Sequence, residues 1–115
     1  EFMGKLYILE IKTCASFLFS KLDNVMDRHK VQATCYRMCL GIPTVLFIYE
    51  DRGLLNHKGF LFTPSDLDKL QIANKIADVE EYLNRGELPP KEKDKCQYCK
   101  YKELCRRDYN PKEEE

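Results

Sequence analysis

A glutamate and a lysine, Glu10 and Lys12, stand two residues apart inside the apolar run from Leu6 to Thr13. A β-strand directs alternate side chains to opposite faces, so these two project together, about 7 Å apart along the backbone. The odd-numbered residues from Tyr7 to Thr13 take the other face, which we predict to be core. A carboxylate and an ammonium on a buried strand are costly unless ligands offset the burial. A divalent cation on the glutamate and an anionic substrate near the lysine would do so; an ordinary strand ion pair is the alternative.

A second polar group lies on a predicted helix from about Asp27 to Leu40. Gln32 and Tyr36 share a helix face at i, i+4, and His29 joins them one turn earlier. These side chains suit hydrogen bonding to a phosphate backbone. Further candidate nucleic-acid contacts are the basic residues Arg28, Lys30 and Arg37. The predicted buried stripe of the helix is Val31, Cys35 and Met38, and the polar group beside it could equally be an ordinary solvated shoulder.

Three cysteines occur close together in the polar C-terminal segment: Cys96, Cys99 and Cys105. Thiols in a segment without a core favour a soft metal, either zinc or an iron–sulfur cluster. Both would need a fourth ligand. Cys35 and Cys39 are i, i+4 neighbours on the predicted helix, where we expect core packing. Cys14 follows Lys12 closely and is the more available candidate.

The bulk composition narrows the function classes. The chain has 115 residues and a formal net charge of zero, so no global field draws it to nucleic acid, and DNA binding needs a local basic patch. No apolar run approaches the ~20 residues of a membrane span, and we expect no membrane partner. Six cysteines without a signal-peptide pattern favour a reducing, cytoplasmic compartment and metal chemistry over disulfides. Glu1 and Phe2 ahead of Met3 are typical of a cloning remnant.

The remaining pattern predicts an α/β fold. Strands are expected at 5–13, 44–49 and 58–62, the second buried on both faces. The first helix should end at Gly41, and a second should start with Thr63 as N-cap and Pro64 at its first position. Residues 14–26 suit a short helix or a loop. The predicted segments are a start at 1–4, an α/β core at 5–88, a cysteine-rich metal-binding segment at 89–108 and a charged tail at 109–115.

The order of these motifs resembles the PD-(D/E)XK nuclease superfamily, in particular RecB-like nucleases with a C-terminal cysteine cluster, such as the CRISPR-associated exonucleases and their phage relatives. The resemblance runs from about Tyr7 to Cys105. It implies a restriction-endonuclease-like core, a mixed sheet flanked by helices, that hydrolyses DNA phosphodiester bonds with Mg²⁺ or Mn²⁺ in an exonuclease-like manner. A bacterial or archaeal cell, or a phage-infected host cell, is the implied setting.

The resemblance also implies residue roles. Glu10 corresponds to the acid that binds the catalytic metal, and the Ile11 carbonyl would lie close to the same ion. Lys12 corresponds to the catalytic lysine, and Gln32 and Tyr36 to the helix motif that positions DNA. The three C-terminal cysteines correspond to three of the four ligands of a 4Fe–4S cluster.

Three features of the family have no counterpart before Lys5: an acid on a preceding strand, the fourth cluster cysteine and an N-terminal helix. We therefore expect an N-terminally truncated core with weakened metal binding and catalysis. The unpaired edge of the Glu10 strand predicts association with another copy or with a complementing N-terminal fragment. Two alternatives stay open. One is a catalytically deficient, nuclease-derived module that binds DNA or protein and keeps an iron–sulfur or zinc site. The other is a small zinc-binding interaction domain.

Overall fold

The computed structural model describes residues 1–91 and 96–106. The chain divides into two compact units after Glu80. We call residues 1–80 the α/β unit and the described residues from 81 onward the cysteine unit, and treat each by itself. The predicted tail at 109–115 and part of the predicted segment 89–108 lie outside the described residues.

Three strands and four helices are present in the described residues. In chain order they are β1 (Ile8–Cys14), α1 (Ser16–Lys21), α2 (Asp27–Leu40), β2 (Val45–Asp51), β3 (His57–Phe62), α3 (Asp66–Asn84) and α4 (Lys102–Arg106). No helix within the described ranges combines the length and the apolarity needed to cross a membrane.

The strands form one mixed sheet in the order β1-β2-β3. β1 runs parallel to β2, with Ile8 opposite Val45 and Glu10 opposite Phe47. β2 and β3 form an antiparallel hairpin. The Asp51 carboxylate organises the hairpin turn, because it accepts hydrogen bonds from the Gly53 amide and the Ser16 hydroxyl. The predicted α/β class, a mixed sheet with helices, is confirmed.

One face of the sheet is buried and the other is largely exposed in the part of the chain that the structure describes. Val45, Phe47 and Tyr49 are fully buried on this inner face, beneath α1 and α2. The face that we predicted to be core is exposed instead: 58% of Leu9 and 62% of Ile11 are accessible. The prediction that β2 is buried on both faces is likewise wrong, since its outer-face residues are only half-buried. Hydrophobicity indicated a buried strand, but both helices of the crossover lie on the same side.

The helix α2 ends as predicted but faces the sheet with a different side. Gly41 adopts the left-handed conformation, and its amide donates to the Arg37 carbonyl. The residues buried against the sheet are Ala33 and Thr34, whereas 53% of Val31, from the predicted apolar stripe, is exposed. The inner face carries polar groups of its own, so the hydrogen-bonding side of the helix packs there.

The helix α3 starts two residues later than an N-cap at Thr63 would place it. Ser65 caps it: the Ser65 hydroxyl accepts from the Asp68 amide, and the Asp68 carboxylate accepts from the Ser65 amide. Thr63 instead forms a hydrogen bond with Thr44 across the strand ends. No residue of α3 is buried in the described structure.

Candidate active site

The side chains of Glu10 and Lys12 lie together on the inner face, as their spacing predicts. The Lys12 Nζ is 3.2 Å from the Glu10 Oε1, and about a fifth of each side chain is exposed. Their neighbours on β2 are fully buried aromatic rings. The pair is therefore partly desolvated but open to a ligand from solvent, which is a setting where charge–charge interactions are stronger than at a free surface.

Two residues of α2 extend this pair into a continuous chain of polar contacts. The Lys12 ammonium donates to the Gln32 Oε1 at 2.7 Å, and the Gln32 Nε2 donates to the Tyr36 hydroxyl at 2.7 Å. Because a lysine can only donate, it fixes the orientation of the Gln32 amide. The Tyr36 oxygen then accepts from Gln32, which leaves the Tyr36 O–H proton for another acceptor. We call Glu10, Lys12, Gln32 and Tyr36 the polar chain.

His29 is held beside the polar chain by Tyr49, a residue whose polar role the sequence analysis missed. The His29 Nδ1 lies 2.7 Å from the Tyr49 hydroxyl, and the Met26 amide donates to the same oxygen at 3.2 Å. Burial raises the pKa of Tyr49, so it stays a neutral donor. Burial, with the Lys12 charge, lowers the pKa of His29. In the tautomer whose Nδ1 accepts from the Tyr49 hydroxyl, a neutral His29 carries its proton on Nε2.

The three predicted basic contacts do not form one patch around the polar chain. Lys30 pairs with Asp27 and lies over the Phe62 ring of β3. The Arg37 guanidinium donates to the Gly41 carbonyl at the end of its own helix. Arg28 is exposed, and its charge lowers the pKa of His29, so it lies near the site. All three basic side chains therefore have partners of their own, since the Arg28 guanidinium contacts the Met26 sulfur at 3.7 Å.

A second carboxylate does not join Glu10 within the described residues. Asp51 is also buried on the inner face, but it pairs with Cys14 in the sheet register. That position is four residues along β1, about 13 Å from Glu10. The pKa of Asp51 is lowered mainly by the Ser16 hydrogen bond, which marks a structural acid committed to its turn.

The described residues also bring no three metal-binding side chains of His, Cys, Asp and Glu together. The cysteine unit contains local turns, in which the Cys99 amide donates to the Cys96 carbonyl and the Cys105 amide to the Tyr101 carbonyl. The Lys91 ammonium donates to the Cys105 carbonyl. The three-cysteine metal site, with zinc or an iron–sulfur cluster, stays a prediction.

The other three cysteines differ from expectation. Cys14 is only 5% exposed at the end of β1, so the idea that it is the most available thiol is wrong. Cys39 is exposed rather than packed in the core, and Cys35 is half-buried. The reason is the orientation of α2, which turns its predicted apolar stripe away from the sheet.

Comparison with known proteins identified no related protein. No protein-family model, curated protein or solved structure matches this chain. Its function must therefore be argued from the contacts of the polar chain.

Proposed function

We propose that the α/β unit is the active-site part of a PD-(D/E)XK-type, restriction-endonuclease-like DNA nuclease that hydrolyses phosphodiester bonds with a divalent cation. The observation that supports this most is the polar chain. Residues from β1 and from α2, in the order that the resemblance requires, are joined by contacts of 2.7–3.2 Å.

Each member of the polar chain has a role in this reaction. Lys12 offsets the negative charge that develops on the phosphate and orients the attacking water. Gln32 holds the ammonium in place from the helix side. Tyr36 directs its hydroxyl proton to a phosphate oxygen, because its oxygen already accepts from Gln32. The His29 Nε2–H is a further donor for the DNA backbone.

The cation site is incomplete in the described residues. Enzymes of this kind use Mg²⁺ or Mn²⁺ to polarise the phosphate and to generate the nucleophile. Mg²⁺ is usually bound through one or two carboxylates together with substrate phosphates. Glu10 is the carboxylate of the polar chain, and no group of three metal-binding side chains is found in the described part. The residues that the structure describes in one copy therefore do not make up a full donor set.

The proposal is tested by DNA cleavage with Mg²⁺ or Mn²⁺. Glu10→Gln and Lys12→Met should each lower the rate by about 10²-fold or more, since the first removes the negative charge proposed to bind the cation and the second removes the positive charge beside the reacting phosphate. The matched controls are Asp66→Asn and Lys69→Met, which break an ion pair on the exposed face of α3 and should leave cleavage unchanged. Cleavage that survives in both folded site variants would contradict the proposal.

Gln32 offers a test of positioning. Gln32→Leu should lower the cleavage rate by up to about 10²-fold, because the Lys12 ammonium loses the acceptor that orients it. Gln32→Glu keeps an acceptor and should recover most of this loss. Gln71→Leu, on an exposed position of α3, is the control. Equal rates for the leucine and glutamate variants would speak against a positioning role.

The single carboxylate favours a second candidate function, a nuclease-derived module that binds DNA without cutting it. This alternative predicts that the wild-type chain retards DNA in a binding assay but does not cleave it with any divalent metal. The Glu10 and Lys12 variants would then change affinity only.

A further inference from the structure

The outer edge of β1 has no neighbouring strand within the described residues. The helix α1 lies toward the opposite edge, where the Phe19 carbonyl accepts from Lys58 of β3. The helix α2 lies above β2, since the His29 ring stacks on Phe47. Neither α1 nor α2 therefore covers the outer edge of β1, and the Leu9 and Ile11 side chains beside this edge are exposed.

Alternate backbone groups of β1 face this open edge. The Ile8 amide donates to the Thr44 carbonyl, and the Cys14 carbonyl accepts from the Arg52 amide. The even-numbered residues of β1 therefore bond toward β2. The groups directed outward belong to Leu9, Ile11 and Thr13. An exposed edge of this kind, with apolar side chains, is a template for another strand.

We propose that two copies of this chain pair antiparallel through β1, with Ile11 on the twofold axis, so that both Glu10 carboxylates enter one cluster. A twofold axis makes identical strands antiparallel and gives a contact that closes on itself. Ile11 then forms a hydrogen-bonded pair with the partner's Ile11. Glu10 lies opposite the partner's Lys12 in a non-hydrogen-bonded pair, where side chains are closest.

The charges of Glu10 and Lys12 favour this register over the two adjacent ones. The outward backbone groups require odd-numbered residues to oppose one another. An axis at Glu10 would place it opposite the partner's Glu10, and an axis at Lys12 would oppose the two lysines. Like charges directly opposite each other are destabilising, whereas opposite charges stabilise a strand pair. Only the axis at Ile11 gives two cross-strand ion pairs. It also extends the apolar outer face, because exposed Ile11 side chains meet there.

The two α2 helices fit above the joined sheet. The β2 strands of the two copies lie three strand spacings apart, about 14 Å. Packed helices need only about 8–10 Å between their axes. Because each α2 lies above its own β2, the gap between the helices runs over the paired β1 strands. Glu10 and Lys12 of both copies form the floor of this gap.

The pairing brings a second acid to the Glu10 site. Glu10 and the partner's Glu10 become diagonal neighbours, with Cα atoms about 7–8 Å apart, within reach of long side chains. The Ile11 carbonyl is then used between the strands, so the carboxylates are the shared groups. This consequence for a cation site rests on the proposed nuclease function; the strand pairing does not.

Sedimentation velocity of the full chain over a concentration series tests the pairing. The wild type should dimerise. Ile11→Pro removes an outward N–H but no bond between β1 and β2, and proline is tolerated on edge strands. Two symmetric hydrogen bonds are lost, so the association constant should fall about 10-fold or more. Ile11→Thr loses the apolar side chain but keeps its N–H and should still dimerise. A monomeric wild type, or a folded proline variant that dimerises like the wild type, overturns the proposal.

A charge exchange tests the register and does not depend on the proline variant folding. In Lys12→Glu, Glu10 of each copy lies opposite an introduced acid at position 12 of the other copy, which gives two repulsive pairs. The dimer should therefore weaken. Adding Glu10→Lys restores opposite charges across the interface and should return the association constant close to that of the wild type. A folded double variant that stays as weak as Lys12→Glu overturns the register.

Mg²⁺ tests the shared cluster without any measurement of cleavage. An ion held between the copies stabilises only the dimer, so Mg²⁺ should strengthen the association of the wild type several-fold. Glu10→Gln should show no such increase. A wild-type dimer that does not respond to Mg²⁺ overturns the shared cluster. DNA cleavage, read separately, decides the proposed nuclease function.

Discussion

The α/β unit and the cysteine unit hold their polar residues in different ways. In the α/β unit, the polar chain is built from β1 and α2, and both elements pack on the fully buried rings of β2. In the cysteine unit, the backbone contacts of the cysteines are local turns between residues three or four apart, such as Cys96 and Cys99, and Lys91 adds one longer contact to the Cys105 carbonyl. The polar chain is positioned by a core, whereas the described cysteines are positioned mainly by their own short segment.

This difference between the two units indicates which of them needs a ligand to take its shape. Side chains that a packed core orients are in place before any ligand binds. Metal-binding segments without a core gain their shape from the ion, so that metal binding is part of their folding free energy. The contrast can be tested by comparing how much variants in each unit change the free energy of unfolding of the α/β unit, measured in urea.

The largest effect should come from the core beneath the polar chain. Phe47→Ala removes a fully buried ring on which His29 stacks. Its cavity should lower the free energy of unfolding by about 3–5 kcal/mol. Ile48→Ala, the next residue on the half-buried outer face, is the control and should cost clearly less. Equal losses would mean that the inner face is not the core.

A smaller loss is expected where the core meets the polar groups. Tyr49→Phe keeps the ring but leaves the Met26 amide and His29 without their partner. The free energy of unfolding should fall by about 1–3 kcal/mol. Tyr36→Phe, at the more accessible end of the polar chain, should cost less than Tyr49→Phe. The reverse order would contradict the supporting role of Tyr49.

The protonation of His29 should give a smaller, pH-dependent effect. Its pKa lies below the ordinary 6.5, first because of burial and then because of Lys12 and Arg28. Between the two pKa values the unfolded chain binds a proton that the folded chain does not. Stability is therefore fully present above pH 6.5 and falls as the pH drops toward the folded pKa.

Urea unfolding at several pH values checks this sign. His29→Gln should flatten the dependence below pH 6.5. His57→Gln, at the exposed start of β3, is the control and should keep it. A wild type that becomes more stable on acidification through this range would refute the prediction. Asp51, whose pKa is lowered, adds a loss only at more acidic pH, below about 3.8.

The smallest effect on the α/β unit should come from the cysteine unit. Cys99→Ser should change the free energy of unfolding of the α/β unit by no more than about 0.5 kcal/mol, as for other exposed positions. It should nevertheless abolish bound iron or zinc, measured by elemental analysis and visible absorption. Cys39→Ser, exposed but outside the segment, should retain the metal. Metal that persists in the Cys99 variant would remove this residue from the ligand set.

Local rules were sufficient for much of the candidate site. The two-residue period of a strand placed Glu10 and Lys12 on one face, and the i, i+4 period of a helix placed Gln32 beside Tyr36. Gly41 ended α2 because glycine tolerates the left-handed conformation that closes a helix. These relations depend on neighbours in the chain, and so they could be predicted from the order of residues.

The choice of the buried face could not be predicted in the same way. Leu9 and Ile11 are more apolar than Glu10 and Lys12, yet the charged side faces α2. A hydrophobic pattern shows which residues favour burial but not which side of the sheet the crossover helices occupy. The sequence predicts Tyr49 only as the end of a buried strand, since its hydroxyl gains a role only when His29 is brought above it.

By itself the sequence determined which side chains of one strand, or of one helix, project together. Only the tertiary structure decided that the strand pair and the helix pair meet, and that they meet on the buried side of the sheet. The physical reason is that the Lys12–Gln32 and His29–Tyr49 contacts join residues 20 positions apart. Such contacts form when α2 packs over β2, which no local periodicity specifies.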